Sequence, residues 1–152
     1  MSKKSILIVA LVIALCLPLA GCFSIGYFPA TGPVETRDYP NQGFNSIDIS
    51  NAIEFEINQS ESYSLSITAQ ESIFSQLDIR QSGNTLEIRL KPGTNTNASI
   101  KAAVTLPVLS KLVVSGASRG SARGFRSTGE FQLDQSGASQ LEIDMETGKT
   151  QI

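Results

Sequence analysis

The sequence predicts an all-β domain in which antiparallel strands lead into a β-helix-like or β-solenoid-like stack. Apolar and polar residues alternate with a period of two through most of the chain from Phe44 onward, as in strands with one buried face. In addition, the segment 112–118 resembles the segment 133–139, which lies 21 residues later, and both end in Ser-Gly-Ala-Ser. A strand followed by a corner of small residues at a fixed interval is typical of stacked β architectures.

Composition narrows the function classes. The chain has 152 residues, 41% of them hydrophobic, which suits one domain with its own core. There is no histidine, and both cysteines lie near the N-terminus, so we expect no metal, no cofactor and no disulfide in the folded part. Without Lys3 and Lys4 of the leader, ten basic residues face 14 acidic ones, a balance that excludes a nucleic-acid partner.

The N-terminus is predicted to be a lipoprotein signal peptide, residues 1–21. Two lysines precede an uncharged apolar run, residues 6–20, which is shorter than the roughly 20 residues of a membrane-spanning helix. The run ends in Leu-Ala-Gly-Cys, which resembles the bacterial lipobox. Cleavage is then expected between Gly21 and Cys22, with the lipid on Cys22; the alternatives are an ordinary signal peptide or an uncleaved anchor.

This reading predicts an extracytoplasmic protein of the cell envelope whose lipid holds it to a membrane. Residues 22–43 are rich in glycine and proline and are predicted to be a flexible tether, followed by the domain, residues 44–152. Tyr27, Phe28 and Tyr39 either pack on the edge of the domain or reach the lipid interface; packing is the favoured interpretation.

The alternation predicts the strands in chain order. Residues 47–57, with a bulge or turn at Asn51 and Ala52, and residues 63–69 are predicted to form an antiparallel hairpin. A short helical turn is expected within residues 70–77, and a Ser-Gly-Asn turn at residues 82–84 predicts a second hairpin. Residues 100–106 are a further strand. Charged residues fall at the solvent-facing positions, which predicts a solvated sheet face and no catalytic carboxylate pair; these are Glu54, Glu56, Glu87, Arg89 and Lys101.

The twin corners are predicted to be structural. Glycine permits dihedral angles that other residues avoid, and stacked serines can form hydroxyl ladders. No histidine is present, and no lysine lies close in sequence, to activate these serines as nucleophiles. Residues 81–84 are a looser third copy. The corner residues are Ser115, Gly116, Ala117, Ser118, Ser136, Gly137, Ala138 and Ser139.

Arg119, Arg123 and Arg126 form a basic cluster between the corners. It is interpreted as a solvated loop, although anionic polysaccharide or lipid headgroups are alternative partners. The 21-residue offset also places Arg123 over Asp144 as a pair of opposite charges.

Several features in order resemble the bacterial GIN domain, described as an auto-transporter adhesin head. They are the openings at residues 44–49 and 53–57, the strand at 86–90, the segment 100–109 and the two corners. The resemblance implies an all-β, β-helix-like fold on extracytoplasmic proteins, often lipoproteins, and no catalytic residue. Family members usually continue with further corners, so we expect either a truncated reading frame or an uncapped C-terminal edge that self-associates or takes a partner.

Together these observations predict a non-enzymatic envelope lipoprotein with an adhesion or scaffolding role and a protein or glycan surface partner. A polysaccharide-binding or polysaccharide-acting module and an accessory of envelope-stress signalling are the competing interpretations.

Overall fold

The computed structural model describes residues 26–126, 129–146 and 148–152, and its elements are almost all strands. Glu71–Gln76 is a 3₁₀ helix between the fifth and sixth strands. The strands are β1 Gly26–Tyr27, β2 Val34–Asp38, β3 Ser46–Ile49, β4 Glu54–Gln59, β5 Ser64–Gln70, β6 Leu77–Ser82, β7 Thr85–Leu90, β8 Thr94–Asn95, β9 Lys101–Leu106, β10 Lys111–Val114, β11 Arg119–Arg126, β12 Glu130–Gln135, β13 Gln140–Glu146 and β14 Lys149–Gln151.

Two six-stranded mixed sheets make up the domain. The first sheet has the order β14-β12-β10-β3-β7-β6, and the second sheet has the order β13-β11-β4-β9-β5-β2. In both sheets the strands are parallel except at one end, where β6 runs antiparallel to β7, and β5 runs antiparallel to β9 and β2. A short parallel pair, β1 with β8, stands apart. The prediction of an all-β fold is therefore confirmed.

The core lies between the two sheets, because one apolar cluster takes alternate residues from both of them. Ile47 and Ile49 of β3 are fully buried, as is Ile57 of β4, while Asp48 and Glu56 between such positions face outward. At the edge of the core, the rings of Phe44 and Tyr63 meet edge to face with their centroids 5.1 Å apart. The period of two thus identified the buried faces.

The first predicted hairpin is wrong. Residues 47–57 comprise β3 and β4, which lie in different sheets and are joined through Asn51 and Ala52, both with positive φ. β5 does not pair with β4, because β9 lies between them: Val104 is in register with Ile57 on one side and Leu65 on the other. The alternation specifies which face of a strand is buried but not which strand lies beside it.

The second hairpin and the helical turn are confirmed. β6 and β7 pair antiparallel from Leu77 with Leu90 to Ser82 with Thr85, and Gly83 adopts φ 58° in the two-residue turn. The segment predicted to contain a helical turn forms the 3₁₀ helix, whose Ile73 is fully buried.

The segment expected to be a tether contains a strand. β2 pairs with β5, and the Arg37 guanidinium lies 4.0 Å from the centre of the Phe74 ring. Tyr39 packs against the core, as the favoured interpretation had it, whereas Tyr27 and Phe28 are exposed. The sequence does not predict β2, because this short edge strand is mostly exposed and lacks the alternation of apolar and polar residues.

The predicted signal peptide, including Gly21 and Cys22, lies outside the described residues. The described part of the chain contains no helix with the length and hydrophobicity that a membrane span requires.

Candidate binding surface

The twin corners stack on each other and on an earlier corner. Val114 is in register with Ile49 on one side and Gln135 on the other, and Arg119 is in register with Glu54 and Gln140. Residues 50–53, 115–118 and 136–139 therefore occupy equivalent places. The looser third copy at residues 81–84 is the turn of the predicted hairpin and joins β6 to β7 within one sheet, whereas the other corners join the two sheets.

Backbone hydrogen bonds join the corners. The Ser115 N–H donates to Ile49 O at 3.0 Å, and the Ser136 N–H donates to Val114 O at 3.0 Å. The Ala138 N–H donates to Gly116 O at 2.8 Å. Buried backbone groups require such partners, so the parallel ladders continue through the turns between the sheets.

The second corner position has a positive φ, which favours glycine. Gly116 and Gly137 have φ of 71° and 70°, and a Cβ on Gly137 would lie 2.8 Å from the Gly116 carbonyl oxygen. Asn51 holds the same place in the earlier corner with φ 70°. Asparagine tolerates this conformation better than most residues, which explains how that corner exists without glycine and why the sequence comparison missed it.

Two of the four corner serines, Ser118 and Ser139, bond to backbone through their hydroxyls, and no hydroxyl ladder joins the corners within the described residues. Ser118 is fully buried, and its Oγ accepts a hydrogen bond from the Ile53 N–H at 3.3 Å. Ser139 Oγ donates to Ser136 O at 2.9 Å. Small size therefore accounts for only part of the choice of serine, since these hydroxyls also complete the turns.

The three arginines lie on a strand. The interpretation as a solvated loop is wrong, because Arg119, Arg123 and Arg126 point outward from β11 while Ala122 and Phe125 are buried. Gly120 is one reason why the sequence does not indicate a strand here, since glycine is uncommon in strands. Its missing side chain makes room for Phe55, whose carbonyl oxygen would lie 2.0 Å from a Cβ.

Ion pairs neutralise most of the outer surface of β11. Arg119 lies 3.7 Å from Glu54, which also has Lys101 at 3.8 Å, and Arg126 lies 3.9 Å from Glu146. Arg123 is in register with Asp144 as predicted, but its guanidinium pairs with Glu142 on the diagonal, at 2.7 Å. Exposed pairs of this kind contribute at most about 1 kcal/mol each, so they add little to the stability of the sheet.

Glu54, Lys101, Arg119, Arg123 and Glu142 line an open hollow of about 740 Å³ on the outer face of the second sheet. Its floor consists of small residues, including Ala103 and Ser121, which are both in register with Glu56. Among the described residues, Glu56 has no ion-pair partner. We call this surface the charged face; it consists of Glu54, Glu56, Lys101, Ala103, Arg119, Ser121, Arg123 and Glu142.

The outer face of the first sheet carries a different network. Asp78 and Glu87 bridge Arg80 and Arg89, with Arg80 3.1 Å from Asp78. Burial raises the pKa of Asp48, which lies in register with Glu87, and nearby Arg89 opposes that rise. Glu87 is engaged by two arginines, so this face is a salt-bridged sheet surface, consistent with the predicted solvated face.

Comparison with known structures gives the same fold. The domain is similar to a putative adhesin from Bacteroides fragilis NCTC 9343 (TM-score 0.72, 19% identity), covering 79% of this chain and 57% of that one. It is also similar to a putative lipid binding protein from Parabacteroides distasonis ATCC 8503 (TM-score 0.74, 20% identity), covering 80% and 54%. A putative adhesin from Parabacteroides merdae ATCC 43184 gives a TM-score of 0.55 at 17% identity, covering 82% and 60%.

The chain thus spans little more than half the length of these structures. No protein of curated function matches the sequence. Residues 43–152, most of the chain, match the family described as putative auto-transporter adhesin, head GIN domain. The chain belongs to this GIN-domain family, as the sequence resemblance predicted.

Proposed function

We propose that this chain is a non-enzymatic adhesion or scaffolding head of the cell envelope, displayed outside the cytoplasm and held to a membrane by a lipid on Cys22. Membership of a family of adhesin heads supports the surface role. The charged face is the observation that carries the proposal. Its cations are paired with Glu54 and Glu142 on neighbouring strands, while Glu56 has no ion-pair partner among the described residues, and this mixture of charges suits contact with a polar partner surface.

We further propose that the parallel strands are successive rungs of a β-solenoid-like stack. The same 21-residue offset relates β10 to β12 in the first sheet and β11 to β13 in the second. A rung that repeats in both sheets, with a stacked corner between them, supports this description.

The charged face can be tested by charge reversal. The full chain should bind a component of an array of envelope proteins and glycans, and high salt should weaken that binding. Lys101→Glu with Arg123→Glu should abolish it. The matched control is Arg80→Glu with Lys111→Glu on the other sheet, which changes the net charge equally and should retain binding. Equal binding by both variants, or shortened glycan products released by the wild-type chain, would overturn the proposal.

A glycan partner is the second candidate, favoured by the hollow. A volume of about 740 Å³ falls within the range of ligand sites, and its walls offer carboxylate, guanidinium and hydroxyl groups. The same array separates the candidates, since binding to purified polysaccharide alone would select the glycan role and binding to protein alone the scaffolding role.

The lipid anchor has its own test. Cells that express the chain and are fed a fatty-acid probe should label it, and Cys22→Ser should abolish the label. Cys16→Ser is the matched control. It removes the other cysteine of the chain, which lies within the predicted signal peptide, and it should leave labelling unchanged. Label that persists in Cys22→Ser would contradict the anchor.

A further inference from the structure

The exposed apolar side chains of the domain are concentrated in one segment. Across the described part of the chain, three of the large hydrophobic residues that are exposed lie within residues 27–34. They are Tyr27, which is 59% exposed, Phe28, which is 40% exposed, and Val34, which is 65% exposed. Exposed apolar groups that gather in one place, unlike scattered ones, point to an apolar partner.

Hydrogen bonds hold this segment on the domain. β1 pairs with β8, and the Phe28 N–H donates to Asn95 O at 2.8 Å. The Thr31 N–H donates to Ser72 Oγ at 2.9 Å, and the Ser72 N–H donates to Thr31 O at 3.2 Å. The exposed side chains are therefore carried on a backbone that is bonded to the rest of the fold.

The segment lies at the end of the sheets where β9 begins. β8 is in the loop before β9, and Val34 is in register with Gln70, the last residue of β5, which runs antiparallel to β9. Val108, also exposed, follows the other end of β9, about 20 Å away for a strand of six residues. Strands added after β14 would extend the sheets at the edges opposite β6 and β2, away from this segment.

The proposed lipid lies close to this segment along the chain. Gly26 follows Cys22 by four residues, which span at most about 14 Å. Because Gly26 already pairs with Thr94 of β8, only residues 23–25 lie between the lipid and the bonded backbone. A lipid on Cys22 therefore keeps β1 beside the membrane surface.

The surface around these side chains carries little charge. Neither residues 26–34 nor the loop 92–100 contains a charged residue, although charged residues make up 17% of the chain. Lys91 and Lys101 flank the loop, and Glu71 begins the neighbouring 3₁₀ helix. Removing charge from water is costly, whereas aromatic side chains are enriched where a membrane meets water. The composition of this surface therefore suits a membrane.

We propose that residues 26–34 and 92–100 form a membrane-docking surface, which seats Tyr27 and Phe28 in the lipid headgroup region. The proposal rests on the lipid anchor of the proposed function. Because that anchor holds the surface beside the bilayer, weak insertion of two aromatic side chains is enough to orient the domain. The strands then rise from the membrane, and the charged face stays open to its partner.

Tryptophan fluorescence tests the orientation, since the chain has no tryptophan of its own. The full chain carrying Phe28→Trp, or Val108→Trp as the matched control, is expressed, extracted from the cell envelope and reconstituted into phosphatidylcholine vesicles. The emission of Phe28→Trp should shift to shorter wavelength and be quenched by lipids with a nitroxide at the headgroup, at low and high salt alike. Val108→Trp should not respond. Equal quenching of the two variants, or none in Phe28→Trp, would overturn the proposal.

An added charge should lift the surface from the membrane. With Val34→Trp as the reporter, Phe28→Glu should reduce the quenching, because a carboxylate resists transfer out of water. Val108→Glu, which adds the same charge at the other end of β9, should leave the quenching unchanged. Equal quenching in the two glutamate variants would contradict docking through Phe28.

The mass of the extracted chain reports on the anchor separately. A chain that is cleaved before Cys22 and carries a lipid, but whose Phe28→Trp form is not quenched, would overturn the docking surface and leave the anchor standing. An uncleaved chain whose Phe28→Trp form is quenched would overturn the lipid and support the docking surface, because the leader then holds the same end of the domain.

Discussion

The two ends of the paired sheets differ in how they cover the core. At the antiparallel end, the 3₁₀ helix crosses from β5 to β6 and inserts Ile73 into the core. Backbone N–H groups at the start of this helix donate to Pro33 O and Thr31 O, so the chain before β2 lies over it. At the parallel end, β13 leaves three apolar side chains partly exposed, and β14 is exposed throughout.

This difference predicts an uneven distribution of stability. Every sheet ends in a strand with one neighbour, but at the antiparallel end Ile73 of the 3₁₀ helix is fully buried, whereas the apolar side chains of β13 at the parallel end remain partly exposed. Opening of the structure should therefore begin at β14, which is exposed throughout, and at β13, whose apolar side chains are partly exposed.

The largest effect should come from shortening one isoleucine at each end. Ile73 is the fully buried residue of the 3₁₀ helix, so Ile73→Ala leaves a cavity in the core and should lower the free energy of unfolding by about 3 kcal/mol. Ile143→Ala removes the same atoms from a partly exposed site and should cost roughly 1 kcal/mol. Urea unfolding of the two variants measures the contrast, and equal losses would show that the two ends are covered alike.

The second-largest loss of stability is expected from a change in the corner nearest the parallel end. Gly137→Ala must adopt a positive φ and also place a Cβ 2.8 Å from the Gly116 carbonyl oxygen, so it should cost about 2 kcal/mol. Gly43→Ala is the control, because it has a similar φ but open space around its Cβ, and should cost about 1 kcal/mol. Thermal unfolding compares the two. A loss no larger than that of the control would mean that the stacked corners tolerate displacement.

A stabilising change is expected at the earlier corner. Ala52 has φ 60° and is exposed, so Ala52→Gly relieves backbone strain at the cost of some chain entropy. The free energy of unfolding should rise by up to about 1 kcal/mol. Ala138→Gly, whose alanine does not have positive φ, is the control and should not stabilise. If Ala138→Gly raised the free energy of unfolding as much as Ala52→Gly does, relief of backbone strain would not be the cause of the stabilisation.

The sequence could predict the fold class and the buried faces because both depend on local alternation. It could not predict that β9 separates β4 from β5, since the neighbour of a strand depends on contacts distant in sequence. The residues of β11 do not indicate a strand, because glycine and arginine dominate it and Gly120 is explained only by its contact with the backbone and ring of Phe55. The corner at Asn51 was missed for a similar reason, because its equivalence to Gly116 depends on register and backbone angle.

The smallest effect concerns a surface pair near the parallel end. The Lys111 ammonium lies 2.9 Å from an Asp134 carboxylate oxygen, and this hydrogen bond holds the pKa of Asp134 below its ordinary value near 4. Because the folded-state pKa is lowered, the pair stabilises the fold above the unfolded-state pKa, and that contribution is lost as the pH falls through the folded-state value. Lys111→Met should return the pKa of Asp134 towards its ordinary value, measured by NMR titration of the carboxyl carbon. Lys149→Met, a nearby change of equal charge, should leave it low, and an equal rise in both variants would show that net charge, and not the hydrogen bond, sets this pKa.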